Sequence, residues 1–600
     1  NNIVTNSDFR DARFYEDVDF SQSVLEDEVI FRDAEFCGKA IFQASEFGQN
    51  VDFQTVIFKN EAVFNNVRFG GEITFLDSDF YDLADFSEVV CEDDVKFSRT
   101  EFNREVDFRF TTLQGDVKFR YVEFGNIADF RHCQFESTVD FQKAEFNNTT
   151  GFNEAVFTEK TKFRRVDFCS EANFEEVVFN NQADFSHTHF EKQETEDVST
   201  EELTDILDSI VKNDSTEEGD EVDDERDSSL ESLINGESRL SHDGVLTSNV
   251  SFSKAIFDEK AIFNNSKFVG DSRFKQTIFN RGAEFENASL NSCTFTGANL
   301  SDVSFSDADV SESYFYEAEC VGTSFSEANI SNSYFVEANL AGANLQNSNG
   351  KEANFQEANI ENGDLEEANF VKSNLERAKL SNADLFGSDL SGARLYGARI
   401  GDAAINMETV LDRHGEDRCA YDPNSEYEYD SDDEEQVGQL RKAMGAYHVL
   451  EQLTRANTFP DEQAKFFARR QDMRRAQLQE DGRRLEYWFA EAQNAVFRHG
   501  ESFSRVVGWS VGTIVAFAFI FPLGGWLQSD STGTLTYGAI ADSPELMWQS
   551  FYHSTLLFMT GGGPLTPTGF VGEMLTTIEA LIAPILLALL IFVLGRRAAR

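Results

Sequence analysis

A run of three glycines lies in the sequence FMTGGGPLTP, residues 558–567, between two apolar segments. Glycine has no side chain, so Gly561, Gly562 and Gly563 can adopt backbone conformations that turn their carbonyl oxygens to one side. Carbonyl oxygens arranged in a ring replace the hydration shell of a passing cation. The chemistry to consider is therefore ion coordination by the main chain. The stretch is a filter for one cation, a filter of another selectivity, or a turn with the same composition.

Ionisable side chains follow the glycine run inside the second apolar segment, residues 570–594. Such residues predict a functional role by default, because burying their charge in a lipid bilayer is expensive. Glu573 lies near one end, where its carboxylate can reach the interface. Glu579 lies deeper, and we expect it either to pair behind the glycine run or to face water. Pro584 interrupts the hydrogen bonding of the predicted helix and can serve as a hinge.

Two membrane spans are needed to position these residues. Residues 506–527 contain no charged side chain, and residues 570–594 contain only the two glutamates. Both segments are long enough to cross a bilayer and together delimit a membrane domain, 506–594. The stretch between them, 528–569, contains no Lys or Arg, whereas positive charges precede the first span and follow the second: Arg498, Arg505, Arg596, Arg597 and Arg600. The positive-inside rule therefore predicts that both termini lie in the cytoplasm.

A short helix is predicted between the spans, at residues 545–558. Ser543 and Pro544 offer it an N-cap and a first-turn proline. A helix of this length cannot cross a bilayer, so we expect it to be re-entrant and packed within protein. Its C-terminal end carries partial negative charge, which favours a cation near the glycine run. Thr555 and His553 lie on this short helix, and His553 either titrates and so tunes whatever passes here or packs as a neutral side chain.

The order of span, short helix, glycine turn and span resembles the two-helix pore module of the potassium-channel superfamily. The family's filter sequence TVGYGD aligns with residues 559–564, MTGGGP. The resemblance implies a homotetramer, because four copies close one pore. It also implies a selectivity filter and a pore mouth, the filter being Met559, Thr560, Gly561, Gly562 and Gly563 and the mouth Pro564 and Pro567.

Three positions of this filter depart from the family's pattern. Met559 replaces the threonine whose hydroxyl forms the innermost cation site, and Gly562 replaces the aromatic residue that braces the filter. Pro564 replaces the acidic residue at the outer mouth. Gly561 and Gly563 are kept. Without its brace the loop is expected to be wider or softer, so we predict passage of monovalent cations, K⁺ or Na⁺, without strict K⁺ selectivity.

The spacing of phenylalanine organises most of the remaining chain, which contains 60 of these residues. Across residues 9–190 an apolar residue recurs at alternating steps of five and six, as in Phe31, Phe36, Phe42 and Phe47. The pattern restarts at Phe252 and becomes a strict step of five across 290–405. This period fits neither a helix nor a strand. It predicts a coil with one short side per repeat and one inward side chain per side.

This pattern resembles the pentapeptide-repeat family, above all in the segments EANF, EANI, SNADL and SGARL. The resemblance implies a right-handed quadrilateral β-helix. Residues 1–190 resemble the family's eleven-residue variant, and residues 249–405 continue into strict pentapeptides. The predicted fold is this solenoid, followed by an α-helical hairpin and a two-helix transmembrane pore domain with a re-entrant pore helix.

Two acidic interruptions separate the predicted domains. Residues 191–248 are predicted to be a disordered insertion. A short amphipathic helix within it, 199–211, either lies on the solenoid or docks a partner. Residues 406–435 are an acidic linker, and 436–498 are predicted to form a cytoplasmic helical hairpin. The hairpin carries a basic cluster that either contacts anionic lipid or pairs with the acidic solenoid or loop: Arg469, Arg470, Arg474 and Arg475.

The formal net charge of −56 and the pI of about 4.4 argue against a nucleic-acid partner. Dense carboxylates hold water in strong salt, which favours a haloarchaeal, salt-accumulating source over an acidic protein from an ordinary cell.

The seven cysteines are scattered without a CxxC pair. No nucleophile–base arrangement, phosphate loop or metal motif is present in the sequence. We therefore predict no enzyme activity, no cofactor and no metal site.

These observations predict a cation channel subunit that crosses the cell membrane more than once. Its solenoid lies in the cytoplasm, where it regulates the pore or binds an unknown protein partner, and membrane lipid surrounds the spans. The alternative is a membrane-anchored, non-conducting scaffold that uses the solenoid for protein contacts. Gly561, Gly563 and Pro567 favour the channel, and the three filter departures favour the scaffold.

Overall fold

The computed structural model describes residues 3–4, 7–190, 250–270, 272–411, 419–423, 436–529 and 533–598. The predicted insertion at 191–248, with its short helix, lies outside the described residues, as does most of the linker 406–435. The chain divides into two compact units, Asn1–Asp389 and Leu390–Arg600.

The first unit is a β-solenoid built from two-residue strands in four parallel sheets. The sheets contain 11, 11, 10 and 9 strands. The strands run from Ile3–Val4 to Ala283–Glu284, and successive strands of one coil lie in different sheets, as in Val29–Ile30, Glu35–Phe36, Ala40–Ile41 and Glu46–Phe47. Each strand pairs with the strand one coil later, as Val51 pairs with Ile73. Beyond Glu284 the sides shorten to single parallel bridges, which continue to Asp389.

Phenylalanine rings fill the interior of the solenoid. Phe64 stacks on Phe42 and Phe86, with ring centroids 4.8 and 4.7 Å apart. It meets Phe53 and Phe75 edge-on at 5.6 and 5.5 Å. Offset-stacked and edge-on contacts match the negative face and positive edge of each ring. The five-and-six spacing therefore builds one continuous aromatic core.

The two steps of the repeat close with different turns. Asp33, two residues after Phe31, lies in the left-handed region with φ 60°. The N–H of Ala34 then donates to the carbonyl of Phe31 at 2.9 Å. The six-residue step from Phe36 to Phe42 needs no such conformation. Across residues 290–389 every step has five residues, and the left-handed turn recurs on every side.

The solenoid keeps its register across the insertion. The strand His189–Phe190 is followed in the described chain by Val250–Ser251, which pairs with Ala172–Asn173 of the preceding coil. Phe257 pairs with Phe179 in the same way. The chain therefore leaves the solenoid after one strand and rejoins it at the next.

The second unit begins with the end of the solenoid, where residues 390–405 keep a buried apolar side chain at every fifth position. Asn457 caps this end. Its side chain accepts a hydrogen bond from the N–H of Ile405 at 3.1 Å and donates to the carbonyl of Ala403 at 2.9 Å. These bonds satisfy backbone groups that have no further coil to pair with.

The helices of this unit are α1 Gln436–Ala456, α2 Pro460–Glu480, α3 Arg484–Phe497, α4 Phe503–Ile520, α5 Tyr537–Asp542, α6 Glu545–Thr560 and α7 Gly569–Ala598. Two 3₁₀ turns, Arg498–Gly500 and Phe521–Leu523, flank α4. Three short strands form an antiparallel sheet: Leu527–Ser529, Gly533–Thr534 and Thr566–Pro567. α3 was not expected as a separate helix. Gly482, with φ 68°, separates it from α2.

Two helical segments are long and apolar enough to cross a membrane, Phe503–Leu523 and Gly569–Arg596. The first ends before the predicted limit at residue 527. Pro522 closes the 3₁₀ turn, and Gly525, with φ 63°, redirects the chain into the antiparallel sheet. α7 is longer than the predicted 570–594, and Pro584 lies inside it.

Candidate functional site

α6 turns its polar side chains toward the two long apolar helices. Ser550 and Ser554 are fully buried and lie four residues apart, on one face of α6. The hydroxyl of Ser550 donates to the carbonyl of Ala518 at 2.7 Å. The hydroxyl of Ser554 donates to the carbonyl of Ile514 at 3.0 Å. Hydrogen bonds from two successive turns therefore fix α6 against α4.

The same serine also meets Glu579 of α7. The carboxyl group of Glu579 is fully buried, and its Oε1 accepts from the Ser554 hydroxyl. Its Oε2 has no hydrogen-bond partner among the described residues. Ser554 has one hydroxyl hydrogen for two acceptors. A neutral Glu579, donating its own proton to Ser554 while Ser554 donates to Ile514, would satisfy both bonds at this junction of α4, α6 and α7.

His553 lies behind the glycine run. Its Nδ1 accepts a hydrogen bond from the N–H of Leu565 at 3.1 Å, and its ring meets Phe521 edge-on at 5.6 Å. A Cβ atom added at Gly563 would lie 2.2 Å from the same Nδ1. The histidine therefore braces the loop from behind. Nothing in the spacing of His553 and Gly563 along the sequence indicated this contact.

The glycine run forms an exposed loop at the end of α6. Gly561, with φ 75°, ends the helix, and its N–H donates to the carbonyl of Leu557 at 2.9 Å. A Cβ atom added at Gly561 or Gly562 would meet nothing within 4 Å. The hydroxyl of Thr560 lies within hydrogen-bond distance of the carbonyls of Leu556 and Gly562, at 2.8 and 3.0 Å. One side of the loop is thus held, and the other is open.

The predicted boundary between pore helix and filter is wrong by two residues. α6 continues to Thr560, so Met559 and Thr560 are helical rather than part of a loop at 559–563. Both residue types tolerate helical geometry, and the left-handed glycine that follows is the first to end it. At the other end Pro544 is the N-cap and makes no side-chain bond, whereas Ser543 ends the short helix α5.

The two prolines of the predicted pore mouth occupy different surroundings. Pro564 is exposed in the loop. Pro567 lies in the antiparallel sheet opposite Leu527. Next to it, the hydroxyl of Thr568 donates to the carbonyl of Gly525 at 2.8 Å. The chain leaving the loop is therefore tied to the residues that follow the first apolar helix.

Three further predicted residues have exposed side chains. Thr555 lies on α6, where its hydroxyl donates to the carbonyl of Phe551 at 2.7 Å. Glu573 lies near the N-terminal end of α7, and Pro584 lies near its middle. The single chain therefore gives none of these three side chains a place in a core.

The basic cluster on α2 pairs with acidic side chains of the neighbouring helices. Arg470 contacts Glu451 of α1 at 3.1 Å, and Arg475 contacts Glu491 of α3 at 3.2 Å. The other two arginines, Arg469 and Arg474, are half-buried and exposed, respectively. Charge pairing, one of the two expected roles, is observed for Arg470 and Arg475, and their partners lie on the neighbouring helices α1 and α3.

The C-terminal end of α7 is fixed to the hairpin by one arginine. Arg596 pairs with Glu501 at 3.2 Å and donates to the carbonyl of His499 at 3.1 Å. Its guanidinium also lies over the ring of Phe467 on α2, 4.1 Å from the centroid. Burial lowers the pKa of His499, so its ring is neutral at pH 7. Arg596 therefore joins the C-terminal end of α7 both to α2 and to the turn that precedes α4.

Two family models, both described as pentapeptide repeats, match the solenoid. One matches in nine copies, over residues 42–90, 97–145, 141–189 and 245–289. The other matches in eight copies, over residues 272–307, 281–315, 304–338, 333–370 and 364–402. The chain belongs to the pentapeptide-repeat family. The matches to the first model fall on the eleven-residue repeats. The matches to the second model fall largely on the strict pentapeptides, and the two models overlap near residue 280.

Solved structures of other pentapeptide-repeat proteins resemble parts of this chain. QnrB1, a plasmid-mediated fluoroquinolone resistance protein, is 17% identical over 26% of this chain and 84% of its own, with a TM-score of 0.22. HetL, a pentapeptide-repeat protein involved in heterocyst differentiation regulation in the cyanobacterium Nostoc, is 18% identical over 47% of this chain and 89% of its own, with a TM-score of 0.17. No curated protein matches the chain.

One side of the pentapeptide-repeat solenoid carries a ladder of acidic residues. Asp79, Glu101, Glu123, Glu145 and Asp167 lie in register on successive coils of one sheet. Strand spacing in a sheet is about 4.8 Å, so neighbouring carboxylates repel each other. Desolvation and these neighbours raise the pKa of Glu101 and Glu145. The phenylalanine spacing predicts the coil but does not indicate this ladder. The acidic residues lie 22 positions apart in the sequence, and only the length of one coil shows that they are neighbours.

No group of three or more His, Cys, Asp or Glu side chains suited to a metal ion occurs in the part of the chain that the structure describes. His189, which stands one coil beyond the acidic ladder, pairs instead with Asp167 at 2.9 Å.

Proposed function

We propose that this chain is a subunit of a membrane channel for monovalent cations, with a pentapeptide-repeat solenoid that binds a protein partner in the cytoplasm. One observation carries the proposal: an exposed glycine loop follows a short helix whose polar side chains are hydrogen-bonded to two long apolar helices. The Gly562 carbonyl lies 3.0 Å from the Thr560 hydroxyl, and backbone carbonyls on the exposed side of such a loop can coordinate cations.

The length of α6 supports a re-entrant position in the membrane. Its 16 residues extend about 24 Å, short of the roughly 30 Å of a bilayer's hydrocarbon core. A helix at that depth must have its polar groups satisfied within protein, and Ser550 and Ser554 meet that requirement. His553 meets it at Nδ1 only, since its Nε2 has no hydrogen-bond partner among the described residues. The negative end of the helix dipole adjoins Gly561, where a cation would be favoured.

A single copy leaves the glycine loop incomplete. The loop is open on the side away from His553, and large side chains beside it are exposed, with Met559 66%, Tyr552 59% and Trp548 76% exposed. Four copies around an axis would place the open sides of their loops face to face and give the exposed side chains neighbours. A homotetramer is therefore the assembly that we propose.

The brace behind the loop sets the selectivity that we expect. His553 holds the loop at Gly563 and Leu565, whereas the side of Gly562 has nothing packed against it. The single hydroxyl hydrogen of Thr560 can bond the carbonyl of either Leu556 or Gly562. A loop held at one point can change its diameter. We therefore propose a pore that passes both K⁺ and Na⁺.

The distribution of basic residues supports an orientation with the solenoid in the cytoplasm. Arg498 lies just before the first apolar helix and Arg505 lies in its first turn, and Arg596 lies at the end of the second. The segment 533–569 between them has neither Lys nor Arg. The net charge of −56 supports a source that accumulates salt, where screening lowers the repulsion between carboxylates.

The test is ion flux through the purified full-length chain in liposomes, with the reversal potential measured in opposed K⁺ and Na⁺ gradients. We expect current that reverses near zero and that Gly561→Asp abolishes, because a carboxylate at this open position would obstruct the axis. Gly512→Ala is the matched control, since a Cβ atom there meets nothing within 4 Å. Current that persists in Gly561→Asp, or a monomeric or dimeric chain in detergent, would contradict the pore.

A non-conducting scaffold is the second candidate, and exposed aromatic residues on the solenoid favour it. Phe110 is 56% exposed and stacks on His132 at 4.7 Å, and Tyr121 is 54% exposed with Lys143 over its ring. Exposed aromatic residues of this kind are enriched at protein interfaces. Absence of current under every ionic condition from correctly assembled protein would favour this function over the channel.

A further inference from the structure

The first two turns of α3, Arg484–Phe497, present their apolar residues away from the rest of the described chain. Leu485, Trp488 and Phe489 are 88, 67 and 69% exposed. Their spacing places all three on one face of the helix. All residues of α3 are described by the structure, and none of them is buried. The apolar face of a surface helix normally packs on a core, so this face lacks the partner that its composition requires.

The opposite, polar face of α3 is the one that contacts protein. Glu491 pairs with Arg475 of α2 at 3.2 Å, and the carbonyl of Asn494 accepts a hydrogen bond from the guanidinium of Arg505 at 2.7 Å. Tyr487, between these contacts, is half-buried. Turning the apolar face inward would break both polar contacts, so the orientation of α3 is fixed by its neighbours.

The position of α3 is fixed at the beginning of the first apolar helix. The indole N–H of Trp509, in the second turn of α4, donates to the carbonyl of Ala495 at 3.0 Å. Arg498 and His499, with φ 47° and 57°, reverse the chain between the two helices. Val496 packs against the buried cluster that contains Ala583 and Leu586 of α7. α3 therefore lies at the level where the first apolar helix starts.

Basic side chains lie at both ends of this helix. Arg483 and Arg484 precede its exposed apolar residues, and Arg498 and Arg505 follow; all four are exposed. Trp, Phe and Leu on one face with arginines beside them are typical of helices that lie in the plane of a membrane interface. Anionic lipid head groups attract such arginines.

We propose that α3 is a membrane-interface helix that inserts Leu485, Trp488 and Phe489 between the lipid head groups and acyl chains of the cytoplasmic leaflet. The partner of this face is lipid rather than protein. The proposal rests on the proposed function to the extent that α4 and α7 must span the same bilayer. It assigns the hairpin a fixed height above the membrane, because α2 is joined to α3 through the pair of Arg475 and Glu491.

The test places a photoreactive benzoylphenylalanine at one position of the full-length chain in vesicles of phosphatidylcholine and phosphatidylglycerol. The residue replaces Phe489 on the apolar face, or Glu486 on the exposed polar flank of α3 as the matched control. A third variant replaces Ile591, which is 65% exposed on α7 and marks lipid contact of the second apolar helix. Cross-linked products are identified by mass spectrometry.

We expect lipid adducts at position 489 in a yield about fivefold or more above that at position 486. Cross-links from position 489 to a second copy of the chain would overturn the proposal and assign the face to the oligomer. Lipid adducts at position 591 without adducts at 489 would overturn it while leaving the spans in place. Adducts at neither position would remove the membrane location itself, and the proposed function with it.

Discussion

Gly563 is the residue of the glycine loop with the least room for a side chain. A Cβ atom there would lie 2.2 Å from Nδ1 of His553, whereas the same atom at Gly562 would meet nothing within 4 Å. We expect Gly563→Ala to displace the loop and reduce cation flux in liposomes by about tenfold or more, the size that small misplacements of a functional group produce. Gly512→Ala on α4, where an added Cβ atom also meets nothing within 4 Å, is the matched control and should retain flux.

The double variant His553→Ala with Gly563→Ala separates the contact from a general loss of folding. Removing the ring creates the space that the new methyl group needs, so flux should recover relative to Gly563→Ala alone. An equal loss of cation flux in Gly563→Ala and in the double variant, with both proteins of normal oligomeric size in detergent, would contradict this prediction. It would show that the contact between the His553 ring and the glycine loop does not control flux.

At the level of residues, the sequence indicated the types but not their contacts. Glu579 stands out in the sequence because an ionisable side chain is rare in an apolar segment, and His553 because it lies on the predicted short helix. That Glu579 meets Ser554, and that His553 meets Gly563, depends on how three helices are rotated about their axes. Sequence spacing gives no information on contacts between separate elements of this kind.

The aromatic ladder is the element that carries the stability of the solenoid. Phe64 is fully buried between two stacked and three edge-on neighbours, so Phe64→Ala should cost about 3–5 kcal/mol of unfolding free energy. Phe110→Ala removes a side chain that is 56% exposed and should cost much less. Thermal unfolding of the full-length chain, followed by circular dichroism of the β-sheet, measures both. Similar midpoints for the two variants would contradict a continuous core.

The acidic ladder opposes the stability that the aromatic ladder provides. Glu101 lies in register between Asp79 and Glu123, and like charges opposite each other on neighbouring strands are destabilising by about 0.2–1 kcal/mol. Glu101→Gln should therefore raise the unfolding midpoint at low salt and pH 7. In molar salt the Debye length falls to about 3 Å, so the difference in unfolding midpoint between Glu101→Gln and the parent chain should become smaller.

The same ladder predicts a dependence on pH. The pKa of Glu101 and Glu145 is raised in the folded state, so their protonated forms are favoured by folding. The stability gained from protonation is present below their ordinary pKa and is lost as pH rises through the raised pKa. A Glu101→Gln variant whose midpoint stays below that of the parent chain at pH 7 would contradict repulsion along the ladder.

At the level of elements, the periodicity of apolar residues predicts where the helices and coils lie, whereas glycine and proline residues set the helix termini. The predicted short helix was real but ended two residues later, at Thr560, because Gly561 and not Met559 adopts the left-handed conformation. The first apolar helix ended early because Pro522 and Gly525 turn the chain into a sheet. That sheet joins segments far apart in the sequence, and no local pattern indicated it.

The insertion at 191–248 should be removable from the molecule as a whole. The strands His189–Phe190 and Val250–Ser251 lie in consecutive positions of the coil, as Asp167–Phe168 and Ala172–Asn173 do one coil earlier. Deleting residues 193–248 leaves a connection of the same length as the earlier one. We expect the variant to keep the unfolding midpoint of the parent chain within about 2–4 °C, the shift that roughly 1 kcal/mol produces in a large domain.

Circular dichroism and size in detergent measure the outcome of this deletion. A lower β-sheet signal or aggregation of the shortened chain would show that the insertion contributes to the solenoid. Unchanged folding with altered ion flux would instead assign the insertion a role in regulation.

The spacing of apolar residues is enough to predict the solenoid, because each coil repeats the same short-range requirement for one inward apolar residue per side. Composition and length are likewise enough to predict two long apolar helices with a glycine run between them. The three-dimensional packing was needed to show that Ser554 joins three helices, that His553 braces the loop, and that α3 presents Leu485, Trp488 and Phe489 outward. These depend on the rotation and depth of separate helices, which are set by long-range packing and hydrogen bonds and not by any local period in the chain.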